Sequence, residues 1–259
     1  MKIDLQQGDC LELMKDIPDG SVDMILADLP YGVTSAKWDS VLPMDKLWSE
    51  YNRILKSDGN ILLFSSMPFL IDLINSNRNH FKYVWHWNKE NAGNFLIAKY
   101  QPRRVIEYVA NFTNGRGKYF PIMENTDPSK RRPYTVGKIG DDPLFKVKSK
   151  KYKHSIKHSG KVKFPDNILT YNSRMGELNP LHRVHPTQKP VALLEYLIKT
   201  YTNENDLVLD NCMGSGSTGV ACVNTNRNFI GMELEEKYFN IAKERIEQAR
   251  KSLEEDNED

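Results

Sequence analysis

Residues 207–219 constrain the fold of this chain more than any other stretch. Leu207-Val208-Leu209 is a short apolar run of the kind that forms a buried strand. It passes through Asp210-Asn211-Cys212-Met213 into Gly214-Ser215-Gly216-Ser217-Thr218-Gly219, after which a helical pattern resumes. Gly214, Gly216 and Gly219 have G-x-G-x-x-G spacing, and Glu233 lies 19 positions after Gly214, at the end of the next predicted strand. A strand that turns tightly into a helix belongs in a parallel sheet, because parallel strands need a crossover between them. Glycines in such a turn let the backbone approach a nucleotide-like ligand, and a strand-end carboxylate can hold ribose hydroxyls. A tight strand-to-helix turn without a ligand is the plainer alternative.

The rest of the chain extends the same alternation. Val22 to Ala27 reads as a buried strand, Met44 to Leu55 as an amphipathic helix, Gly59 to Ser65 as a strand and Pro68 to Asn77 as a helix. Phe81 to Trp87 and Val105 to Phe112 read as further strands towards the sheet edge. After a long irregular stretch come a helix from Pro190 to about Tyr201, the strand Asp206 to Leu209, the glycine turn with its helix, a strand Phe229 to Met232 and a last helix from about Glu235. The expected fold class is therefore α/β, a doubly wound, mostly parallel sheet made from two separated blocks. The expected divisions are 1–112, an inserted segment 113–181, 182–253 and an acidic tail 254–259. At 259 residues with 39% hydrophobic and 27% charged residues, the chain can bury a core without a metal or disulfide staple. No apolar run approaches the ~18 residues of a membrane span. Three cysteines without paired spacing, and a start that lacks an apolar signal core, suggest a cytoplasmic protein with no disulfide framework and no zinc site.

The net charge of +2 hides a strong segregation. Ser129 to Lys163 contains twelve Lys/Arg and two acids, whereas five of the last six residues are acidic. A basic stretch of this density fits a phosphate-bearing partner, and a solvated lysine-rich loop is the alternative.

A second motif, Asp28-Leu29-Pro30-Tyr31-Gly32, directly follows the strand ending at Ala27. This is the carboxyl end of a parallel strand, where open α/β sheets place ligands. Asp28 and the Leu29 carbonyl suit hydrogen bonds from an exocyclic amine, with Tyr31 stacked on the ring that bears it. An Asx-type turn with a packed tyrosine competes with that reading. If this strand neighbours the one at 207–209, both loops face one crevice.

The two motifs, with His185-Pro186-Thr187-Gln188-Lys189-Pro190 between them, resemble the beta-class DNA amino-methyltransferases, most closely the adenine-specific members. In that family D-P-P-Y precedes a target-recognition region, and H-P-T-Q-K-P and D-P-F-x-G-S-G-T-T follow it. Here Leu29 stands for the first proline, Asn211-Cys212 for Pro-Phe and Ser217 for a threonine. The resemblance implies a Rossmann-like methyltransferase sheet in permuted order and S-adenosylmethionine as cofactor. It implies transfer of a methyl group to the N6 amino group of an adenine flipped out of double-stranded DNA. Asp28, Leu29, Pro30 and Tyr31 become the catalytic set. Asp9, Cys10, Asp28, Thr187, Lys189, Asp210, Cys212, Gly214, Ser215, Gly216, Ser217, Thr218 and Glu233 become the cofactor set. Within it Asp9 lies near the adenine, Thr187 and Lys189 near the carboxylate, and Glu233 on the ribose. Asp9 reads equally well as a helix N-cap before Leu11. No metal is implied, and His185 has no ligand cluster around it.

The inserted segment then becomes the target-recognition region. Lys130, Arg131, Arg132, Lys148, Lys150, Lys151 and Lys153 are its candidate phosphate contacts, with Tyr119, Tyr134, Tyr152 and Tyr171 interspersed. Trp85 or Trp87 is a candidate for the second face of a stacked base, although a tryptophan on a strand more often packs in the core, and Lys89 and Asn91 resemble a segment bordering the target pocket. N4-cytosine methylation and a catalytically degenerate DNA-binding protein stay open as alternatives. A nicotinamide-dependent oxidoreductase leaves the Asp28 motif and the basic segment without roles. A homodimer and a cognate restriction endonuclease are further expectations from the resemblance.

Overall fold

The computed structural model describes residues 1–32, 41–131, 134–136, 156–158, 160–174 and 188–256. Thr187, Arg132, Lys148, Lys150, Lys151, Lys153, Tyr152 and His185 lie outside the described residues, as do the side chains of Lys130 and Tyr134.

Twelve described strands and six helices follow in order: β1 (Ile3–Gln7), α1 (Cys10–Leu13), β2 (Val22–Ala27), α2 (Met44–Ile54), β3 (Leu55–Ser65), α3 (Phe69–Ser76), β4 (Phe81–Asn88), β5 (Ile106–Phe112), β6 (Glu124–Asn125), β7 (Tyr134–Val136), β8 (Ile156–His158), β9 (Val162–Lys163), β10 (Ile168–Thr170), α4 (Val191–Tyr201), β11 (Leu207–Asp210), α5 (Ser217–Asn224), β12 (Asn228–Glu233) and α6 (Glu236–Asp256). Eight strands form one sheet in the order β1-β12-β11-β2-β3-β5-β4-β10. Every pairing in it is parallel except those of β5, which runs against β3 and β4. The chain leaves β2 towards β3 on one side and β11 towards β12 on the other. The β2/β11 boundary is thus the topological switch point.

Period-2 alternation assigns the central strands to two cores. Ile25 and Ala27 pack with Leu47, Tyr51, Ile54, Leu70 and Leu73 from α2 and α3. Met24 and Leu26 pack on the opposite face with Leu193, Leu197 and Ile198 of α4, Ala221 of α5 and Ala242 and Ile246 of α6. The helix faces follow from spacing: Leu47, Tyr51 and Ile54 recur every three or four residues along α2, as do Leu193, Leu194, Leu197, Ile198 and Tyr201 along α4. Covering both faces makes the sheet doubly wound, as expected.

The expected boundaries move. Contacts separate a unit of residues 1–120 and 167–259 from a second unit, Pro121–Asp166. Residues 113–120 stay with the sheet because Lys118 reaches buried Asp23 at 2.7 Å and Asp206 at 3.0 Å. Residues 168–170 supply the edge strand β10, which the irregular sequence around it concealed. Tyr119 and Tyr171 therefore belong to the first unit, with Tyr119 against Tyr201 and Tyr171 packed on the α4-side core. At the end of the chain, α6 runs on to Asp256, beyond the expected limit of 253.

Within the second unit, β6 pairs with β9 and β7 with β8, both antiparallel. Arg131 is exposed. Lys163 is held by Glu124 at 3.0 Å and by Asp166, so two acids flanking the basic stretch neutralise its last cation.

Candidate active site

Pairing of β2 with β11, with Met24 opposite Val208 and Ile25 opposite Leu209, brings the two loops to one sheet edge. They border a cavity of about 250 Å³. Asp28 and Pro30 come from the first loop. Asp210, Asn211, Cys212, Met213, Gly214, Ser215, Ser217 and Thr218 come from the second. Asp9, Cys10, Lys189 and Glu233 of the expected set also line the cavity, so Lys189 and Glu233, 180 and 224 positions from Asp9, share one cavity with it. Gly8, Leu42, Phe64, Gln188, Leu194, Leu234 and Tyr238 also line it. Sequence reasoning missed these, because an apolar or small residue at a strand end carries no signal of what it faces.

Three expected residues are absent from the lining. Leu29 packs its side chain into the α2-side core. Tyr31 stacks on Phe69, with ring centroids 5.0 Å apart and planes at 28°, and donates from its hydroxyl to Asp28 Oδ1 at 2.5 Å. Gly216 adopts a left-handed conformation at φ 78°, and a Cβ there would come within 2.8 Å of Ala242 Cβ. Gly219 is similarly pressed, with Ile246 Cγ1 at 2.8 Å and Phe229 Cε1 at 2.9 Å from a Cβ placed on it. Two of the three motif glycines thus serve close packing of the loop and α5 on neighbouring groups, whereas Gly214 lines the cavity and donates its N–H to Glu233 Oε2 at 2.9 Å.

Asp28 is engaged at both oxygens: Tyr31 donates to Oδ1 and Lys189 pairs with Oδ2. Lys189, expected near a cofactor carboxylate, is here the counter-ion of the catalytic-motif aspartate. Burial depresses its basicity, but Asp28 and Glu107 more than offset this and hold it above the usual lysine range. Its ammonium also sits 5.1 Å from the Phe64 ring centroid.

Asp210 is 3% exposed and accepts from Thr218 Oγ1 at 2.6 Å and from the Cys212 N–H at 3.1 Å. Burial pushes its carboxyl up to about 7 despite these donors, with Asp28 and Glu233 adding to the rise. Glu233 accepts from the N–H groups of Gly214 and Glu235, each at 2.9 Å, and burial raises its carboxyl too. Asp9 caps α1, accepting from Leu11 N–H at 2.8 Å, while lining the cavity, so both of its expected roles fit one position.

Trp85 and Trp87 are not base-stacking surfaces. They are 3% and 2% exposed, point into the α4-side core and donate to Tyr201 Oη and the Tyr171 carbonyl. Alternation along β4 turns both inward. Lys89 pairs with Glu107 at 2.7 Å, and Asn91 donates to Asn172 at 2.9 Å. The segment joining β4 to β5 leaves the same sheet edge as the cavity loops. It carries exposed Leu96 (80%) and Tyr100 (88%) beside exposed Lys99, Arg103 and Arg104, a combination the sequence reading passed over.

The cavity lining carries four carboxylates, Asp9, Asp28, Asp210 and Glu233, against one cation, Lys189. That balance fits a cationic, hydroxyl-bearing nucleoside and opposes the pyrophosphate of a nicotinamide dinucleotide. Among the described residues no group of three or more His, Cys, Asp or Glu side chains is placed to hold a metal, and no helix is long and apolar enough to cross a membrane.

Comparison with known proteins agrees with this geometry. A DNA adenine methyltransferase of Escherichia coli, YhdJ, is 30% identical over 93% of this chain and 82% of its own length. The type II methyltransferase M.HpaI of Haemophilus parainfluenzae is 27% identical over 93% of this chain and 73% of its own. The crystal structure of an M1.HpyAVI-SAM complex superposes with a TM-score of 0.63 at 26% identity, covering 94% of this chain and 98% of that one. PvuII DNA methyltransferase, specific for cytosine N4, shares the fold with a TM-score of 0.65 at 17% identity, over 98% of this chain and 93% of its own. The family model described as DNA methylase matches residues 22–244, most of the chain, and the chain belongs to that N6/N4 DNA methyltransferase family.

Proposed function

We propose that this enzyme transfers a methyl group from S-adenosylmethionine to the N6 amino group of a flipped-out adenine in double-stranded DNA. The observation that carries the reading is the meeting of the Asp28 loop and the Asp210–Gly219 loop at the β2/β11 switch point, around an acidic cavity. Adenine is preferred because an aspartate heads the catalytic motif and because YhdJ is an adenine methyltransferase.

S-adenosylmethionine brings an activated methyl group on a cationic sulfur. The chain's own residues hold and orient. The acidic lining attracts the cation, and Glu233, fixed by two backbone N–H groups, presents its remaining lone pairs to hydroxyl donors. Asp28, held by Tyr31 and Lys189, keeps acceptor sites for an amine N–H, since an ionised carboxylate offers about four. Accepting that N–H draws the amine nitrogen towards a pyramidal, more nucleophilic state, and alignment supplies much of the rate. An adenine inside a duplex cannot reach this edge, so base flipping is part of the proposal.

The unit Pro121–Asp166 is assigned to target recognition, with Lys130, Arg131, Arg132, Lys148, Lys150, Lys151 and Lys153 as phosphate contacts. Cytoplasmic location, a homodimer and a partner endonuclease complete the reading, and sedimentation at several protein concentrations tests the dimer.

The test is incubation with methyl-labelled S-adenosylmethionine and mixed-sequence duplex DNA, followed by nucleoside analysis. Label in N6-methyladenine is expected. Label in N4-methylcytosine overturns the base assignment, and cofactor binding without any transfer overturns the enzymatic assignment on DNA.

A further inference from the structure

Two of the three cysteines stand 202 positions apart in sequence, yet both line the cavity. Cys10 opens α1, and Cys212 sits two residues past β11. One nitrogen, Asn211 Nδ2, lies 3.5 Å from Cys10 Sγ and 3.6 Å from Cys212 Sγ. The amide is fixed from its other end, because the fully buried Tyr51 hydroxyl donates to Asn211 Oδ1 at 2.5 Å and thereby turns the NH2 group towards the sulfurs. Asn211 is itself 2% exposed. A buried amide aimed at two cavity-lining sulfurs is not needed to hold the strand turn, which Asp210 and Gly214 already secure. At position 212 the related motif has phenylalanine, so this chain has replaced a ring by a thiol facing a second thiol.

We propose that Cys10 and Cys212 form a reversible disulfide under peroxide, and that this bond closes the cofactor cavity. The step balances with hydrogen peroxide as oxidant. The Cys10 thiolate attacks one peroxide oxygen, giving a sulfenic acid and, after protonation, water. The Cys212 thiol then attacks that sulfur and expels a second water. The two sulfurs lose two electrons in all, and a thiol reductant restores both thiols. Asn211 donates to the attacking thiolate. The hydrogen bond between the two sulfurs lowers the thiol of Cys10 and raises that of Cys212, and attack by either sulfur gives the same disulfide. Bonding requires the sulfurs to close to about 2.0 Å with Cβ atoms about 3.5–4.5 Å apart. That draws the start of α1 onto the loop after β11, beside Asp9 and Asp210. Cys222 is fully buried in the other core and takes no part.

The consequence for turnover rests on the functional reading above; the bond itself does not. The experiment treats the full chain with hydrogen peroxide, digests it without reduction and looks by mass spectrometry for a peptide pair joining Cys10 to Cys212. Labelled S-adenosylmethionine binding is measured before oxidation, after it, and after dithiothreitol. The expected result is the linked pair, at least a tenfold loss of affinity and recovery on reduction. Cys222→Ala should keep that oxidised-to-reduced ratio, and Cys212→Ser should bring it close to one whatever its starting affinity. Oxidation to separate sulfinic acids, a link between two chains, or a linked pair with unchanged affinity overturns the switch while methylation by reduced enzyme continues. Reduced protein that neither binds nor uses the cofactor overturns the functional reading and the switch together.

Discussion

Asp210 is the residue at which the chemistry of the cavity is most readily measured. Its carboxyl, pushed up to about 7 by burial, binds a proton in the folded protein that it has lost in the unfolded chain above the ordinary carboxylate range. A raised native value means that its contribution to stability is complete below about 4 and is lost as pH rises through about 7. A cation in the cavity favours the ionised form, so cofactor binding should release a proton near neutrality. Affinity should climb with pH to about 7 and then level off, and calorimetry in two buffers of different ionisation heat should show the release. Asp210→Asn should bind more weakly and lose the part of the rise centred near 7, leaving only the part that the raised carboxyl of Glu233 supplies. A wild-type affinity that is flat from pH 5 to 8 would remove Asp210 from the cation site. Asp28 makes a different prediction, because its partner Lys189 is buried and would be stranded by truncation. The isosteric Asp28→Asn spares packing and leaves an amide oxygen facing Lys189, although it removes the counter-charge as truncation does. Turnover should fall at least a hundredfold, about 3 kcal/mol of barrier, with cofactor affinity changed by less than tenfold. Single-turnover rates and equilibrium binding separate the two. Glu233→Ala should do the reverse, weakening cofactor binding by about 1–3 kcal/mol for lost buried hydrogen bonds.

At the scale of elements, the motif glycines divide into those that concern the ligand and those that concern packing. Gly219 lies on α5 where Ile246 of α6 and Phe229 of β12 leave no room for a methyl group. Gly219→Ala should therefore cost about 1–3 kcal/mol through overpacking. Ile246→Val, which deletes the crowding Cδ1, should recover part of that loss in the double variant, as read by denaturant midpoints. Strict additivity of the two changes would show that the contact does not couple the helices. From sequence alone the three glycines look alike, since spacing reports the turn and not what approaches it. The strands β2, β3, β11 and β12 were legible because burial on both faces forces continuous apolar runs. The edge strand β10 was not, because only Leu169 of its three residues is buried. The tryptophans of β4 pose the same question: aromatic content is visible in sequence and favours the core on a strand, but the face it occupies is fixed by neighbours, here Tyr201 and the Tyr171 carbonyl.

Over the whole molecule, the parts that contacts separate also differ in charge. The sheet unit concentrates carboxylates at one edge, around a cavity that suits a cation. The basic stretch lies in a separate compact unit, 121–166, in which the short strands β6 and β9 have no buried residue. On the proposed function, a polyanion would be drawn to the basic unit and the acidic cavity would disfavour phosphate, a contrast that a net charge of +2 conceals. The order of the two loops along the chain was readable. Their convergence needed the pairing of β2 with β11, which no local pattern encodes. The charge separation predicts a steep salt response. If the seven named Lys and Arg side chains each neutralise a phosphate, the logarithm of DNA affinity should fall with the logarithm of salt concentration at a slope of about −6. Replacing Lys148, Lys150 and Lys151 by glutamine should reduce that slope by about 3 and weaken specific and non-specific duplexes alike, because phosphate contacts carry no sequence information. Cofactor affinity in the absence of DNA should be unchanged by the same triple replacement. A slope that stays near its original value would place the phosphate contacts elsewhere, and the exposed Lys99, Tyr100, Arg103 and Arg104 on the segment between β4 and β5 are where the next substitutions belong.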